Sequence, residues 1–169
     1  MAGSVRTSDR EASHYLIALG SNQPHHRHGS PRAVLRAALR ALDQAGLTVE
    51  AASRIATSRP LGPSRRAYAN AAAIVRTDLE PPDLLAMLQG VEALYGRRRR
   101  GQRWGARVLD LDIVLWSGGA WASPGLIVPH VAFRERHFVL GPAAEIAGDW
   151  RDPVSGHSLR QLLARLKRS

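Results

Sequence analysis

The sequence predicts an α+β fold, an antiparallel sheet with helices packed on it, and three observations carry that expectation. Short apolar runs alternate with longer segments of helical period, and turn residues mark most of the boundaries between them. The order of these segments is strand, helix, strand, strand, helix, strand. That is the order of a ferredoxin-like sandwich, with both helices on one face of the sheet.

The first strand is expected at 14–19, an apolar run stopped by Gly20-Ser21-Asn22. Ser30 followed by Pro31 is an N-cap with a first-turn proline, and Val34, Leu35, Ala38, Leu39 and Leu42 then line one helical face, which ends near Gly46. A second strand is expected at 47–57, a proline- and glycine-marked loop at 58–64, and a third strand at 67–77. Pro81-Pro82-Asp83 opens a second helix with Leu84, Leu85, Leu88, Val91 and Tyr95 as its buried stripe. An arginine-rich loop at 97–103 precedes the strongest strand of the chain, 108–116. Ser117-Gly118-Gly119 turns that strand, 121–128 adds a short edge strand, and 158–166 forms a short terminal helix.

With 169 residues, 44% hydrophobic and 22% charged, the chain fits one domain over 13–169 behind a polar leader at 1–12. No run approaches the roughly 18 apolar residues of a membrane span, and the first residues lack the apolar core of a signal peptide, so a cytoplasmic protein without a membrane partner is expected. The absence of cysteine excludes disulfides, thiolate metal sites and a cysteine nucleophile. A net charge of +10 calls for an anionic partner, and an aromatic content of only 5% offers few stacking platforms for single-stranded nucleic acid. A phosphate-bearing small molecule is the favoured partner, with no nucleic acid.

In the run Arg107-Val108-Leu109-Asp110-Leu111-Asp112-Ile113-Val114-Leu115, the period of two turns Asp110 and Asp112 to one face and Leu109, Leu111 and Ile113 to the other. Two neighbouring carboxylates on an apolar strand raise each other's proton affinity unless a cation neutralises them. Magnesium, which takes carboxylate, water and nucleotide phosphate oxygens, suits the pair. The plainer alternative is a solvated strand face paired with arginines. Arg97, Arg98, Arg99, Arg100, Arg103 and Arg107 supply fork-shaped donors for phosphate oxygens just upstream. No G-x-x-x-x-G-K-[ST] loop is present, so bound ATP would be held by metal and arginine.

Several motifs, ALGSN at 18–22, RPLGP at 59–63, YANAA at 68–72, RWGARVLDLDIVL at 103–115 and PH with R-x-F-V-L at 129–140, closely resemble the 6-hydroxymethyl-7,8-dihydropterin pyrophosphokinase family. The resemblance covers about 14–146. It implies transfer of pyrophosphate from ATP to the pterin hydroxymethyl group, two Mg²⁺ ions, AMP as the leaving group, and a step of folate synthesis. It places the metal ligands and catalytic carboxylates on Asp110 and Asp112, and the catalytic phosphate-binding arginines on Arg97 and Arg107. Nucleotide contacts fall on Gln89, Glu92, Arg99, Arg103, Trp104, Ile113, His130 and Arg136. Pterin contacts fall on Ser58, Leu61, Tyr68, Asn70, Trp104 and Phe138. Tyr68 and Asn70 share a strand face by the period of two, as such a site requires. Without the motif, Phe138 would be read as plain core. A monomer is expected.

The chain departs from the family pattern at Arg59 and Ala106, where proline is common, at Val131 after the histidine, and at Gly125 and Ile127 near the nucleotide side. His25, His26 and His28 match no family ligand and are read as a solvated loop. A basic nucleic-acid module is the rival from another class, and the Asp pair argues against it. A catalytically dead homologue would need a lost motif residue, and none of those named is missing.

Overall fold

The computed structural model describes residues 11–58, 68–96 and 108–169 of the chain. Its elements in order are β1 (Ser13–Ser21), α1 (Pro31–Gln44), β2 (Thr48–Ala52), β3 (Ala56–Ser58), β4 (Tyr68–Thr77), α2 (Pro81–Leu94), β5 (Asp110–Trp116), β6 (Trp121–Ser123), β7 (Leu126–Val128), a 3₁₀ turn (Phe133–Glu135), α3 (His137–Ala147) and α4 (Leu159–Arg168). The main sheet runs β2-β4-β1-β5 with every pairing antiparallel, β3 adds to β4, and β6 and β7 form a separate hairpin. This is the expected ferredoxin-like order.

One face of the sheet carries the main core. Tyr15, Ile17 and Leu19 of β1, Ala71, Ala73 and Val75 of β4, and Leu111 and Ile113 of β5 are buried there against Val34, Leu35, Ala38 and Leu42 of α1 and Leu84, Leu88 and Val91 of α2. Ser30 caps α1 as expected, its hydroxyl accepting from the Ala33 amide at 3.3 Å. Such a cap contributes about 1 kcal/mol.

The strand expected at 47–57 is two strands. Ser53 interrupts it: the Ser53 and Ala72 main chains pair at 2.8 Å, while the Ser53 hydroxyl accepts from the Ala72 amide at 2.9 Å and donates to the Arg54 carbonyl at 2.9 Å. A side chain there replaces a ladder bond and turns the chain. The edge strand expected at 121–128 is likewise a hairpin, with Gly125 at φ 78° in its turn.

The sequence reading lacked α3, which covers the opposite face of the sheet. Val139, Leu140, Ala143 and Ala147 of α3 join Leu159 and Leu162 of α4 in a second cluster with Leu16, Ala72, Ile74, Val114 and Leu115. Gly141-Pro142 inside this helix reads as a breaker, because proline lacks the N–H of a helical bond. Burial of the apolar stripe outweighs that loss. α4 begins in a full capping box, Ser158 with Gln161.

The loop between α3 and α4 is tied down by an ion pair. Asp152, 0% exposed, accepts from Arg134 Nε at 2.6 Å and Nη2 at 2.8 Å, and also from the Ser155 hydroxyl and the Val154 amide. The Arg134 hydrogen bonds hold this carboxyl well below the usual carboxylate range.

Candidate active site

Strand register brings the acidic strand and the polar end of β4 to one place. Gly20 of β1 lies opposite Asn70 on β4 and opposite Asp110 on β5, so Asn70, Gly20 and Asp110 form one row across three strands. The next row is Ala72, Ala18 and Asp112. Residues directly opposite in a sheet share a face, and this is the face of the second cluster. Strands lie about 4.8 Å apart, so the ends of a row are on the order of 10 Å apart.

The α3 and α4 helices cover only one end of this face. Leu16, near the middle of β1, is fully buried beneath them, whereas Ala18 and Gly20 further along are partly exposed although β1 is an interior strand. Asp110 and Asp112 are also partly exposed. A β-bulge at Val114 marks the boundary: Ile17 pairs with Ile113 but Leu16 with Leu115, so Val114 and Leu115 both join the second cluster. Apolar residues fill the covered end and carboxylates occupy the open one.

Asn70 is only 7% exposed, and among the described residues its side-chain amide has no hydrogen-bond partner. Its Oδ1 lies over Gly20, 3.5 Å from where a β-carbon on that glycine would sit. A ligand lying over this face would find that amide able both to donate and to accept a hydrogen bond. Tyr68, two residues back on the same face, is partly exposed, and Ser58 stands opposite it in register.

The outer edge of β5 is covered from two directions. Glu92 of α2, 4% exposed, accepts from the Leu111 amide at 3.2 Å, between the two aspartates. On the same edge the His130 amide donates to the Val114 carbonyl at 3.1 Å, just after the cis Val128–Pro129 bond. The His130 Nδ1 accepts from the Ala132 amide at 3.1 Å, which leaves Nε2 as the ring donor in the neutral form. Burial lowers the proton affinity of this imidazole, Arg136 lowers it further, and Asp110 opposes both. His130, Arg136 and Asp110 therefore act within one electrostatic neighbourhood.

Arg136 precedes α3, its guanidinium carbon 5.7 Å from the centre of the Phe138 ring. Phe138 is 42% exposed, which removes the plain-core alternative and is compatible with the stacking role that the resemblance implies. Gln89 is exposed on α2 while Glu92 is buried, so the two share a helix but not an environment. Ile113 is buried in the main core, on the face opposite the aspartates, so any ligand contact from it would run through its main chain. Arg97, Arg99, Arg103, Trp104, Arg107 and Leu61 lie outside the described residues, as does the Ser58 side chain. Sequence reasoning gave Gly20 no site role of its own, taking it as the stop of a strand and as part of the ALGSN motif at 18–22. Its signal was the pairing of small residues, Ala18 and Gly20, at alternate positions on a strand whose other face is large.

Residues 16–148 match the family described as 7,8-dihydro-6-hydroxymethylpterin-pyrophosphokinase. The chain belongs to this family. Among its pyrophosphokinase relatives, a Pseudomonas aeruginosa protein named 2-amino-4-hydroxy-6-hydroxymethyldihydropteridine pyrophosphokinase is 42% identical over 150 residues, covering 88% of each chain. A Synechocystis protein of the same name is 40% identical over 122 residues, 72% of this chain and 62% of the relative. A solved Plasmodium falciparum structure described as wild-type HPPK-DHPS superposes with a TM-score of 0.73 at 11% identity, over 94% of this chain and 42% of that one. That likeness supports the pyrophosphokinase fold. No described helix is long and apolar enough to cross a membrane.

Proposed function

We propose that this chain transfers pyrophosphate from ATP to the hydroxymethyl group of 6-hydroxymethyl-7,8-dihydropterin, a step of folate synthesis. The pterin oxygen attacks the β-phosphorus, the bond from that phosphorus to the α,β-bridging oxygen breaks, and AMP leaves with the bonding pair. The observation that carries the reading is the row Asn70, Gly20, Asp110, which joins an amide with no partner among the described residues to a carboxylate pair on one open surface. Family membership supplies the reaction class.

In this reading Asn70 hydrogen-bonds the polar edge of the pterin, and Tyr68 and Phe138 stack on its rings, with Ser58, Leu61 and Trp104 completing that pocket. Stacking and hydrogen bonding hold the hydroxymethyl group toward Asp110, and such positioning is the main source of rate in phosphoryl transfer. Arg97, Arg107 and Arg136 gather charge around the transferring group, assisted by Arg99 and Arg103. His130, neutral near pH 7 with Nε2 as donor, hydrogen-bonds the nucleotide. Gln89, Glu92 and Ile113 border the nucleoside. No side chain is assigned as general base.

Asp110 and Asp112 suit two Mg²⁺ ions. Both are oxygen donors, partly exposed on one strand face, and no group of three or more His, Cys, Asp or Glu among the described residues is arranged to hold a metal alone. A cation that draws its remaining ligands from water and phosphate fits that donor set. When bound, Mg²⁺ would supply charge neutralisation on the phosphate oxygens. We place the enzyme in the cytoplasm as a monomer, with one pyrophosphokinase domain over 13–169.

The test is product analysis with ATP, Mg²⁺ and the hydroxymethyl pterin. AMP and the pterin diphosphate are expected in equal amounts, and ADP in place of AMP would overturn the proposal.

A further inference from the structure

Gly20 sits at the centre of the open surface, and neither of the usual structural reasons for a glycine applies to it. Its backbone is not in the left-handed region, which among the described glycines holds Gly29, Gly46, Gly96, Gly119, Gly125 and Gly156. Among the described residues, a β-carbon built on Gly20 would meet only Asn70 Oδ1 at 3.5 Å, an ordinary van der Waals distance. The described residues leave room for a side chain there. Glycine inside a strand weakens it through backbone entropy, and it often marks a place where a ligand or another backbone comes close.

The ligand side of that choice is visible in the neighbours. Asn70 and Asp110 flank Gly20 in register, and the Asn70 amide, 7% exposed and without a partner among the described residues, reaches over it. Ala18 continues the low surface toward Asp112. A planar bicyclic substrate that bonds to Asn70 and sends its substituent toward Asp110 must cross Gly20. We infer that Gly20 is a specificity-determining residue, whose missing side chain leaves the passage through which the substrate's hydroxymethyl arm reaches the carboxylates.

This inference rests on the pyrophosphokinase reading, and its test separates the two. The wild type, Gly20→Ala and Gly20→Val are compared for melting temperature and for KM toward ATP and toward 6-hydroxymethyl-7,8-dihydropterin. Gly20→Ala melts at or above the wild-type temperature, because alanine suits a strand better than glycine. Its KM for the pterin rises about tenfold, since a misplaced reacting group is costly, while its KM for ATP stays at the wild-type value. Gly20→Val shows a larger rise. A wild type that makes no AMP overturns both the function and this inference. An active wild type with unchanged pterin KM in a folded Gly20→Ala overturns the inference alone. A lower melting temperature with both KM values raised also overturns it, because Gly20 would then serve the fold.

Discussion

The face of the sheet beneath α3 is divided into two ends that differ in what they are built for. At the covered end, Leu16, Ile74, Val114 and Leu115 meet Val139, Leu140 and Ala143, and large apolar side chains exclude water. At the open end the same three strands present Ala18, Gly20, Asn70, Asp110 and Asp112. Strand geometry continues from one end to the other, apart from the bulge at Val114. Side-chain size and polarity change, and with them a packing surface becomes an open, polar one. The difference teaches that a site can be made by withholding a core rather than by adding a separate element.

The contrast predicts that changes at the open end damage chemistry and spare the fold, whereas changes at covered positions do the reverse. The largest effect is expected for Asp112→Ala, with turnover reduced about a thousandfold through loss of charge stabilisation at the reacting phosphates. Its melting temperature should stay close to the wild-type value, because Asp112 is partly exposed on the open end of its strand. Steady-state rates at saturating Mg²⁺ together with a thermal melt check both halves, and near-normal turnover would remove the pair from the chemistry.

Asp152→Asn acts on the support behind the covered end. Breaking its pair with Arg134 should cost about 3 kcal/mol in denaturant unfolding. Since the folded carboxyl is held below the usual range, its contribution is fully present above the unfolded value near 3.9 and is lost as pH falls below it. The wild type should therefore lose stability in acid by a component that the variant lacks.

Gly118→Ala should destabilise by about 2 kcal/mol, because its β-carbon would run into the Trp116 ring that packs in the turn after β5. Chemical denaturation against wild type reads this directly, and an unchanged midpoint would mean that Trp116 moves aside freely.

The smallest effect concerns His130. Its folded proton affinity is lowered, so between the folded and unfolded values the unfolded chain binds more protons and stability rises with pH. Relative to wild type, His130→Asn should flatten the stability curve below about pH 6.5. An identical slope in both proteins would contradict the lowered proton affinity of this half-buried imidazole.

Much of the fold was legible because α1, α2 and β5 carry strong local signals: capping serine or first-turn proline, and clear periods of 3.6 and 2. α3 was not, since Gly141-Pro142 is a local break that only tertiary burial overrides. The split of β2 from β3 turns on the Ser53 hydroxyl replacing a ladder bond, which composition does not reveal. In the site, the shared face of Asp110 and Asp112 followed from alternation alone. The row through Gly20 did not, because register between β4, β1 and β5 depends on how distant segments pair. Glu92 could be named from its resemblance to a family position, yet its hydrogen bond to the Leu111 amide required the structure.

The central claim, that the open end of this face receives the pterin, is tested most directly by titrating the pterin and a non-hydrolysable ATP analogue into Asn70→Ala and Phe138→Ala. Losing the Asn70 bond leaves polar groups unpaired and losing the ring removes a stacking wall, each at a cost of about 1 to 3 kcal/mol of pterin binding. Affinity for the ATP analogue alone should match the wild type in both variants. Pterin affinity unchanged in both would contradict the account.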